Sequence, residues 1–395
     1  MHSKRFKMAD TTKRAWTLVE LLVVIIVLSA LVVILIPLIL QGRESSRRMQ
    51  CQNNLKQLAI SVHSFHDAMK VLPKANFQPQ FCQEKFFDET TGRYGNRELY
   101  GVLPVLMPYL ESNPYFNILM TQFRKDGDAP TPWDERWASE IGSNIYARTH
   151  VHQMQSPTFL CPNDTFAGKK TAGDLGRTNY HGCRGDLWVD WKPKTNRGIF
   201  VSGPGEPISF KDVPDGLSNT ILFGECVVGN NHGGENAPIR GGLAYGMPFG
   251  PEAVPARCLE RAGKDGKLTG EQNHDVLTNS KGSGLCWLSG VQVHSQFFTI
   301  LPPNAPSCSS ETGWQDWAMN TASSFHPKGC NVGMADGSVT FVNNDIDCGD
   351  LSKTFVEFTK LPPPDVDYRD SPWGIWGWMG SRDGYGKMLK TDDLR

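Results

Sequence analysis

A long apolar run near the N-terminus constrains this chain more than any other feature. It lies within residues 16–40, which read WTLVELLVVIIVLSALVVILIPLIL. Its last twenty residues contain only Ser29, Ala30 and Pro37 besides large apolar side chains. At about 1.5 Å per residue, such a run matches the roughly 30 Å hydrocarbon core of a bilayer, so it predicts a transmembrane helix over residues 16–40. A cleaved secretory signal fits less well, because its apolar region is shorter and a small-x-small cleavage site follows it.

One carboxylate, Glu20, lies at the outer edge of this run. An ionised carboxylate at bilayer depth is costly and usually has a partner. Two interpretations therefore stay open: Glu20 marks the interface where the helix starts, or it pairs with a charge on another molecule. The flanking charges specify the orientation only weakly, since basic residues precede the run (Lys4, Arg5, Lys7, Lys13, Arg14) and also follow it (Arg43, Arg47, Arg48).

Composition indicates a loop-rich body after the helix. The chain has 395 residues, enough for one large or two ordinary domains, with 39 glycines and 26 prolines. This content of turn-forming residues favours a β or α+β body. The formal net charge of −1 gives no global field that would attract nucleic acid. Standard catalytic motifs such as G-x-S-x-G, H-E-x-x-H and G-x-G-x-x-G are absent from the sequence, so nothing in it indicates an enzyme.

The ten cysteines are widely spaced, and no C-x-x-C pair occurs. This spacing excludes zinc-ribbon and thioredoxin-like motifs. If the body lies outside the cytoplasm, the even count suits several disulfides. A mixture of bridges and buried thiols is equally compatible with the sequence.

Apolar residues recur at helical spacing after the run, which predicts that the helix continues amphipathically over residues 41–70. The apolar stripe consists of Cys51, Leu55, Leu58, Val62, Phe65 and Met69. Pro37 and Gly42 are the predicted bends or breaks.

A globular α+β domain is predicted over residues 71–360, followed by a Pro/Gly/Trp-rich tail over residues 361–395. Predicted strands cover residues 198–201, 220–228 and 296–301, and residues 124–144 read as an insertion or surface helix. Long loops are expected over residues 229–285. Asp336-Gly337, between two short apolar runs, predicts a two-residue hairpin with a type I′ turn.

Residues 15–20, Ala-Trp-Thr-Leu-Val-Glu, resemble the class III signal of type IV pilins and type II secretion pseudopilins. The resemblance implies a basic leader over residues 1–15, a cut by prepilin peptidase between Ala15 and Trp16, and methylation of the new amino terminus. It also implies that Glu20 pairs with the terminal amine of a neighbouring subunit. The family normally has Gly before the cut and Phe after it, so the processing site departs from the usual pattern.

Several later segments are similar to a large bacterial prepilin-like family, domain of unknown function 1559. They are residues 43–57, 63–67, 107–111, 157–164, 215–225 and 326–338, the last with the His-x9-Asp-Gly signature formed by His326, Asp336 and Gly337. The resemblance implies a pilin-like α+β fold, with a long N-terminal helix on an antiparallel sheet and long loop insertions. It also implies a disulfide between Cys51 and Cys161, because both belong to family segments that must pack on one another.

Three sets of polar residues each allow two interpretations: a metal or catalytic site, or a purely structural role. His326 and Asp336 suggest a metal site or catalytic dyad, but a hairpin turn and a loop hydrogen bond explain them as well. His63 and His66 suggest a metal site on the helix, or simply its polar flanks. Asp345, Asp347 and Asp350 suggest a structural Ca²⁺ site, as some pseudopilins have in a C-terminal loop, or a solvated turn.

Taken together, these features predict a pseudopilin-like structural protein of a type II secretion or type IV pilus-like apparatus. It would cross the bacterial inner membrane once, with its globular domain in the periplasm or at the cell surface. Its partners would be membrane lipid, prepilin peptidase, and itself or other pseudopilins, with no nucleic acid. The alternative is a signal-anchored extracytoplasmic binding module or enzyme.

Overall fold

A helix of 52 residues, α1 (Leu18–Met69), begins the part of the chain that the computed structural model describes. The described residues are 17–77, 87–88, 93–94, 100–110, 154–168, 175–187, 197–201, 207–229, 237–247, 253–269, 282–309, 318–354 and 371–384. The chain divides into two compact units, residues 1–46 and residues 47–395. The boundary falls inside the predicted amphipathic segment, near its beginning.

Helix α1 continues through Pro37 and Gly42, so neither of these two predicted bends or breaks interrupts it. A proline inside a helix removes one backbone hydrogen bond, and here the remaining bonds are sufficient to continue the helix. The helix ends at Met69, after which Lys70 adopts a positive φ of 62°. A left-handed residue directly after the last turn is a common way for helices to stop.

In the second unit, which we call the head, α1 buries the predicted apolar stripe. Cys51, Leu55, Leu58, Val62 and Phe65 are all buried, which confirms the predicted face, whereas Met69 is 58% exposed at the helix end. The helix lies on a β-strand, β11 (Gly329–Met334), with Leu55 packed near Gly333. This contact defines one hydrophobic core, which also contains Phe159, Phe223 and Trp287.

The head is built on a five-stranded sheet. Its strands, in spatial order, are β12 (Val339–Asn343), β11 (Gly329–Met334), β6 (Ile221–Glu225), β5 (Tyr180–Cys183) and β8 (Gln296–Phe297). Neighbouring strands are antiparallel except β5 and β8, which pair in parallel. The sheet is therefore mixed rather than wholly antiparallel as predicted, and the α+β class is confirmed. The predicted strand at 220–228 is confirmed as β6, and the one at 296–301 is shortened to β8.

Smaller sheets and short helices complete the described residues. The remaining strands are β1 (Asn76–Phe77), β2 (Phe87–Asp88), β3 (Arg93–Tyr94), β4 (Tyr100–Gly101), β7 (Leu243–Ala244), β9 (Ser307–Ser309) and β10 (Ala318–Met319). They pair as β1–β4, β2–β3 and β10–β9–β7. The short α-helices are α2 (Val102–Leu106), α3 (Ala256–Leu259), α4 (Gln292–Ser295) and α5 (Gly374–Gly380), and 3₁₀ turns cover Met107–Tyr109, Pro157–Phe159 and Phe210–Asp212. Within the predicted loop region 229–285, the structure thus places β7 and α3.

The Pro/Gly/Trp-rich segment contributes to a second core on the other side of the sheet. Trp376 of α5 is fully buried with Phe297 and Val332, and its indole Nε1 donates to the Leu301 carbonyl at 2.9 Å. Trp373, just before α5, donates to the Asp186 carbonyl at 2.8 Å. The sheet is therefore covered by α1 on one face and by α5 on the other.

Residues 198–201, predicted as a strand, form a buried bend instead. Ile199 and Phe200 are fully buried, so the apolar pattern correctly predicted burial but not the backbone conformation. Gly198 lies so close to the Arg184–Gly185 backbone that an added Cβ would clash with the Arg184 carbonyl group. Because the two backbones cross this closely, residues 198–201 do not form the ladder of backbone hydrogen bonds that a strand needs.

The β11–β12 hairpin is present where Asp336-Gly337 predicted it, but its turn is of another type. Gly337 N–H donates to the Met334 carbonyl at 3.0 Å and Met334 N–H donates to the Ser338 carbonyl at 2.8 Å, which leaves a three-residue connection. Only Gly337 has a positive φ (87°), while a type I′ turn requires two such residues. The Asp336 carboxylate accepts from the Ser338 N–H at 2.8 Å and thereby fixes the longer turn.

Candidate functional site

The N-terminal end of α1 is closed by a reciprocal cap between Thr17 and Glu20. Thr17 N–H and Thr17 Oγ1–H both donate to Glu20 Oε2 at 2.9 Å, and Glu20 N–H donates to Thr17 Oγ1 at 3.2 Å. This capping box satisfies two of the helix's free N–H groups, so Glu20 has a local structural role in the single chain. Ala15 and Trp16, the predicted processing site, and the leader before them lie outside the described residues, as do residues 124–144.

The apolar half of α1 leaves its side chains exposed in the single chain. Leucines, isoleucines and valines between Leu18 and Leu40 are all exposed, on every side of the helix. A helix that is apolar all round needs a membrane or a protein core around it. By length and composition, α1 is able to cross a membrane.

In the head, a disulfide ties α1 to the loop that follows the Pro157–Phe159 turn. Cys51 on the helix bonds to Cys161, with the Cα atoms 5.2 Å apart and a sequence separation of 110. This is the pair that the family resemblance implies. The helix and the loop also meet through Asn54, whose Nδ2 donates to the Leu160 carbonyl at 3.0 Å. A second disulfide, Cys258–Cys308, lies elsewhere in the head.

A histidine and a carboxylate are buried directly beside the Cys51–Cys161 bridge. His326 Nε2 lies 3.7 Å from Cys161 Sγ and 3.6 Å from Glu225 Oε1. The four side chains of Cys51, Cys161, Glu225 and His326 are all buried, and their ligating atoms lie within 4.8 Å of one another. Among the described residues, these are the groups of metal-ligating type that converge; we call them the Cys-His-Glu cluster.

The two non-cysteine members of this cluster are held by asparagines. Glu225 accepts from Asn331 twice, from the backbone N–H at 2.8 Å and from Nδ2 at 2.9 Å. His326 Nδ1 faces Asn163 Nδ2 at 3.3 Å. Because an amide Nδ2 donates, a ring in its neutral form accepts there through Nδ1 and carries its proton on Nε2, towards Glu225. Both side chains are therefore fixed in position and orientation.

The loop that carries Cys161 is organised by a buried carboxylate, Asp164. Its oxygens accept from the N–H groups of Phe166 and Val228, both at 2.8 Å, and from Asn179 Nδ2 at 2.6 Å. Burial raises the pKa of Asp164, although these hydrogen bonds act in the opposite direction. Asn179 Oδ1 also accepts from the Cys161 N–H at 2.9 Å, so Asp164 positions the cysteine indirectly.

Other cysteines of the head remain buried thiols. Cys183, Cys226, Cys330 and Cys348 are buried and make no disulfide. Burial raises the pKa of Cys226 and of Cys330 well above the ordinary thiol value, and the Glu225 carboxylate raises both further. These thiols therefore stay protonated at neutral pH. The head contains both bridged cysteines and buried thiols, the mixture that the sequence left open.

His326 and Asp336 do not form the hypothesised dyad. They lie beyond opposite ends of β11, where His326 is buried and the Asp336 side chain is exposed in the hairpin turn. A strand of six residues is about 20 Å long, too far for direct contact. Asp336 and Gly337 thus serve the turn, as the structural interpretation held, whereas His326 belongs to the Cys-His-Glu cluster.

The rings of His63 and His66 both pack on Phe210, at centroid distances of 4.6 and 4.5 Å. His63 Nε2 also lies 2.8 Å from the Ala335 carbonyl oxygen in the β11–β12 turn. The pair therefore joins the helix to neighbouring loops.

The three C-terminal aspartates lie in exposed turns. Asp347 Oδ1 accepts from the Gly349 N–H at 2.8 Å and Asp350 Oδ1 accepts from the Ser352 N–H at 3.1 Å, while Asp345 lies in the turn after β12. Two of the three carboxylates thus accept hydrogen bonds from backbone N–H groups two residues later. Such local bonds are what the interpretation as a solvated turn predicts.

The fold and the site together define an α+β protein with an N-terminal apolar helix and a head tied to that helix by a disulfide. The family model described as "Protein of unknown function (DUF1559)" matches residues 41–349. The chain therefore belongs to this family. No curated protein and no solved structure matches it. The family match begins after the apolar run, so residues 1–40 lie outside it.

The Cys-His-Glu cluster was missed by sequence reasoning. Its members come from four distant segments, so no spacing motif exists to detect them. The available signal was that Cys51, Cys161, Glu225 and His326 each fall in one of the segments that carry the family resemblance. The sequence analysis paired the two cysteines and put His326 forward as a metal-site candidate with Asp336, but it did not bring His326 and Glu225 to the bridge.

Proposed function

We propose that this chain is a pilin-like structural protein, anchored in the bacterial inner membrane by the first half of α1, with its head outside the cytoplasm. It assembles with itself or with other pseudopilins through that half of the helix. The observation that supports the proposal is that the pattern of apolar residues changes along helix α1. Residues 18–40 are apolar on all sides and exposed, whereas residues 51–65 bury one stripe against the head. An element of this kind suits assembly by helix packing.

Glu20 is the residue that distinguishes assembly from simple anchoring. In an assembly of the pilin type, its carboxylate neutralises the new terminal amine of a neighbouring subunit within an apolar environment. In a simple anchor, Glu20 only completes the capping box with Thr17. A charge pair requires the negative charge of Glu20, whereas the cap requires the hydroxyl group of Thr17. Two conservative substitutions remove these groups one at a time.

Glu20→Gln keeps an amide oxygen that accepts from Thr17 but removes the charge. Thr17→Val removes the hydroxyl of the cap but keeps the Glu20 charge. The proposal expects Glu20→Gln to lower the yield of cross-linked oligomers by about 100-fold or more, because one charge of a buried pair is left without its partner. Thr17→Val should assemble nearly as the native chain does, since a cap contributes little to contacts between subunits.

The measurement is cross-linking of native protein, Glu20→Gln and Thr17→Val in membranes, with membrane insertion checked by carbonate extraction. Equal oligomer ladders for all three proteins would overturn the proposal and leave Glu20 as a helix cap. Mass spectrometry of the native protein provides a second test. A mature N-terminus at Trp16 carrying an N-methyl group is expected, while an intact leader would favour the signal-anchored alternative.

A further inference from the structure

The Cys-His-Glu cluster has the composition of a metal site as well as a disulfide. We propose that, once the Cys51–Cys161 bridge is reduced, Cys51, Cys161, Glu225 and His326 bind one Zn²⁺ ion, and that reoxidation of the two cysteines releases it. The bridge and the ion are then alternative links between α1 and the rest of the head. This proposal rests on the interior of the head alone and is independent of the proposed function.

The distances between the ligating atoms support this assignment. Tetrahedral zinc, with bonds of about 2.3 Å to sulfur and about 2.0 Å to nitrogen or oxygen, places sulfur and nitrogen about 3.5 Å apart and nitrogen and oxygen about 3.3 Å apart. In the structure, Cys161 Sγ and His326 Nε2 are 3.7 Å apart, and His326 Nε2 and Glu225 Oε1 are 3.6 Å apart. The remaining pairs of ligating atoms lie within 4.8 Å of one another, and the two sulfur atoms separate to about 3.8 Å when their bond is broken.

The chemical nature of the four ligands favours zinc over calcium or magnesium. Two thiolates and an imidazole are softer donors than the oxygen sets that Ca²⁺ and Mg²⁺ require. All four side chains are buried, which suits a closed structural site without a position for substrate. The two hydrogen bonds from Asn331 hold Glu225 in place, as ligating carboxylates in metal sites are usually held.

The charge balance explains why the reduced cluster would attract a cation. Without the bridge, two ionisable thiols face the buried Glu225 carboxylate, and a buried negative charge is unfavourable unless it is paired or bound to a metal. A zinc ion offsets two of the three negative charges of the thiolates and the carboxylate. His326 binds through the Nε2 lone pair, which moves the ring proton to Nδ1, and a rotation of the Asn163 amide turns its Oδ1 to accept that proton.

The exchange balances with a dithiol as the reductant. The dithiol reduces the Cys51–Cys161 bond to two thiols and is itself oxidised to a disulfide. Zinc then replaces the two thiol protons, which are released to solvent. A disulfide-class oxidant reverses the reaction by accepting the two electrons, reforming the sulfur–sulfur bond and freeing the zinc.

The test uses the full chain in detergent, either oxidised or reduced with a phosphine, incubated with Zn²⁺ and desalted. Zinc per chain is measured by elemental analysis, and Co²⁺ is used in parallel because tetrahedral thiolate coordination gives intense visible absorption. We expect about one zinc per reduced chain and none per oxidised chain. Cys51→Ser with Cys161→Ser should abolish binding, and so should His326→Ala, whereas His326→Cys should retain it by supplying a third thiolate.

The other disulfide provides the matched control. Cys258→Ser with Cys308→Ser removes a buried bridge that is not part of the cluster and should leave the zinc content of the reduced chain unchanged. Peptide mapping of oxidised His326→Ala, with the Cys51–Cys161 bridge intact, shows that this variant folds. The proposal is overturned if the reduced native chain binds no more zinc than the Cys51→Ser/Cys161→Ser variant. It is equally overturned if zinc stays bound after reoxidation or in His326→Ala.

Discussion

Replacing Leu55 by alanine tests how α1 packs on the sheet. The side chain is fully buried, with its Cβ and Cδ2 about 3.7 Å from the position that a Cβ on Gly333 of β11 would occupy. Leucine-to-alanine changes in cores lower the free energy of unfolding by about 2.7–5 kcal/mol, with larger losses where the cavity cannot collapse. Gly333 has no side chain that could move into the space, so we expect a loss in the upper half of that range, about 4 kcal/mol.

The matched control is Ile60→Ala on the same helix. Ile60 is 50% exposed on the opposite face, and alanine has the better helix propensity, so its change should stay within about 0.5 kcal/mol. Both variants are measured as full chains in detergent by urea unfolding, followed through the fluorescence of the buried Trp287, Trp373 and Trp376. A loss below 1 kcal/mol for Leu55→Ala, or an equal loss for Ile60→Ala, would refute the assigned helix face.

Three further predictions use the same unfolding assay. Removing the Cys51–Cys161 bridge in metal-free buffer should lower the free energy of unfolding by about 5 kcal/mol, and removing Cys258–Cys308 by about 4 kcal/mol, because their sequence separations are 110 and 50 residues; a loss below 1 kcal/mol for either would contradict the loop-closure argument. Gly337→Ala should cost about 1–2 kcal/mol, because alanine tolerates a φ of 87° poorly, and an unchanged midpoint would count against the assigned turn. Burial raises the pKa of Asp164 in the folded head above its unfolded value. Protonated Asp164 therefore favours folding below the unfolded pKa, and this stability is lost as the pH rises through the folded pKa. Relative to Asp164→Asn, the native chain should thus lose stability as the pH rises from 3 to 7, and a gain over that range would show the opposite shift.

The sequence predicted those helices, strands and turns whose signal lies in a few neighbouring residues. The stripe from Cys51 to Phe65 repeats with the helical period, so both the helix and its buried face followed from it. The apolar residues of β6 and the Asp-Gly pair after β11 likewise located a central strand and a hairpin. In each case, a few consecutive residues carry the whole signal.

What the sequence did not predict depends on contacts between distant segments. Residues 198–201 are as apolar as a strand, but their backbone conformation is set by the close approach of Gly198 to Arg184. The turn type at Asp336 is a local exception: the carboxylate accepts from the Ser338 N–H two residues later, a choice that turn statistics alone do not fix. The Cys-His-Glu cluster requires the order of β6, β11 and α1 in space, which no spacing along the chain reveals.

The bridge at Cys51 also determines how the head bears a mechanical load. A pull on the apolar half of α1 travels along the helix and reaches the head at Arg47, where its own packed residues begin. The first contacts there are the hydrogen bond from Arg47 Nη1 to Asn163 Oδ1 at 3.5 Å and the Arg48 guanidinium carbon, 3.8 Å from the centre of the Phe341 ring. One helical turn further on, Cys51 passes tension through a covalent bond into the Cys161 loop. While the bridge is intact, this covalent bond therefore opposes the peeling of residues 52–69 away from the sheet under tension applied from the N-terminal side.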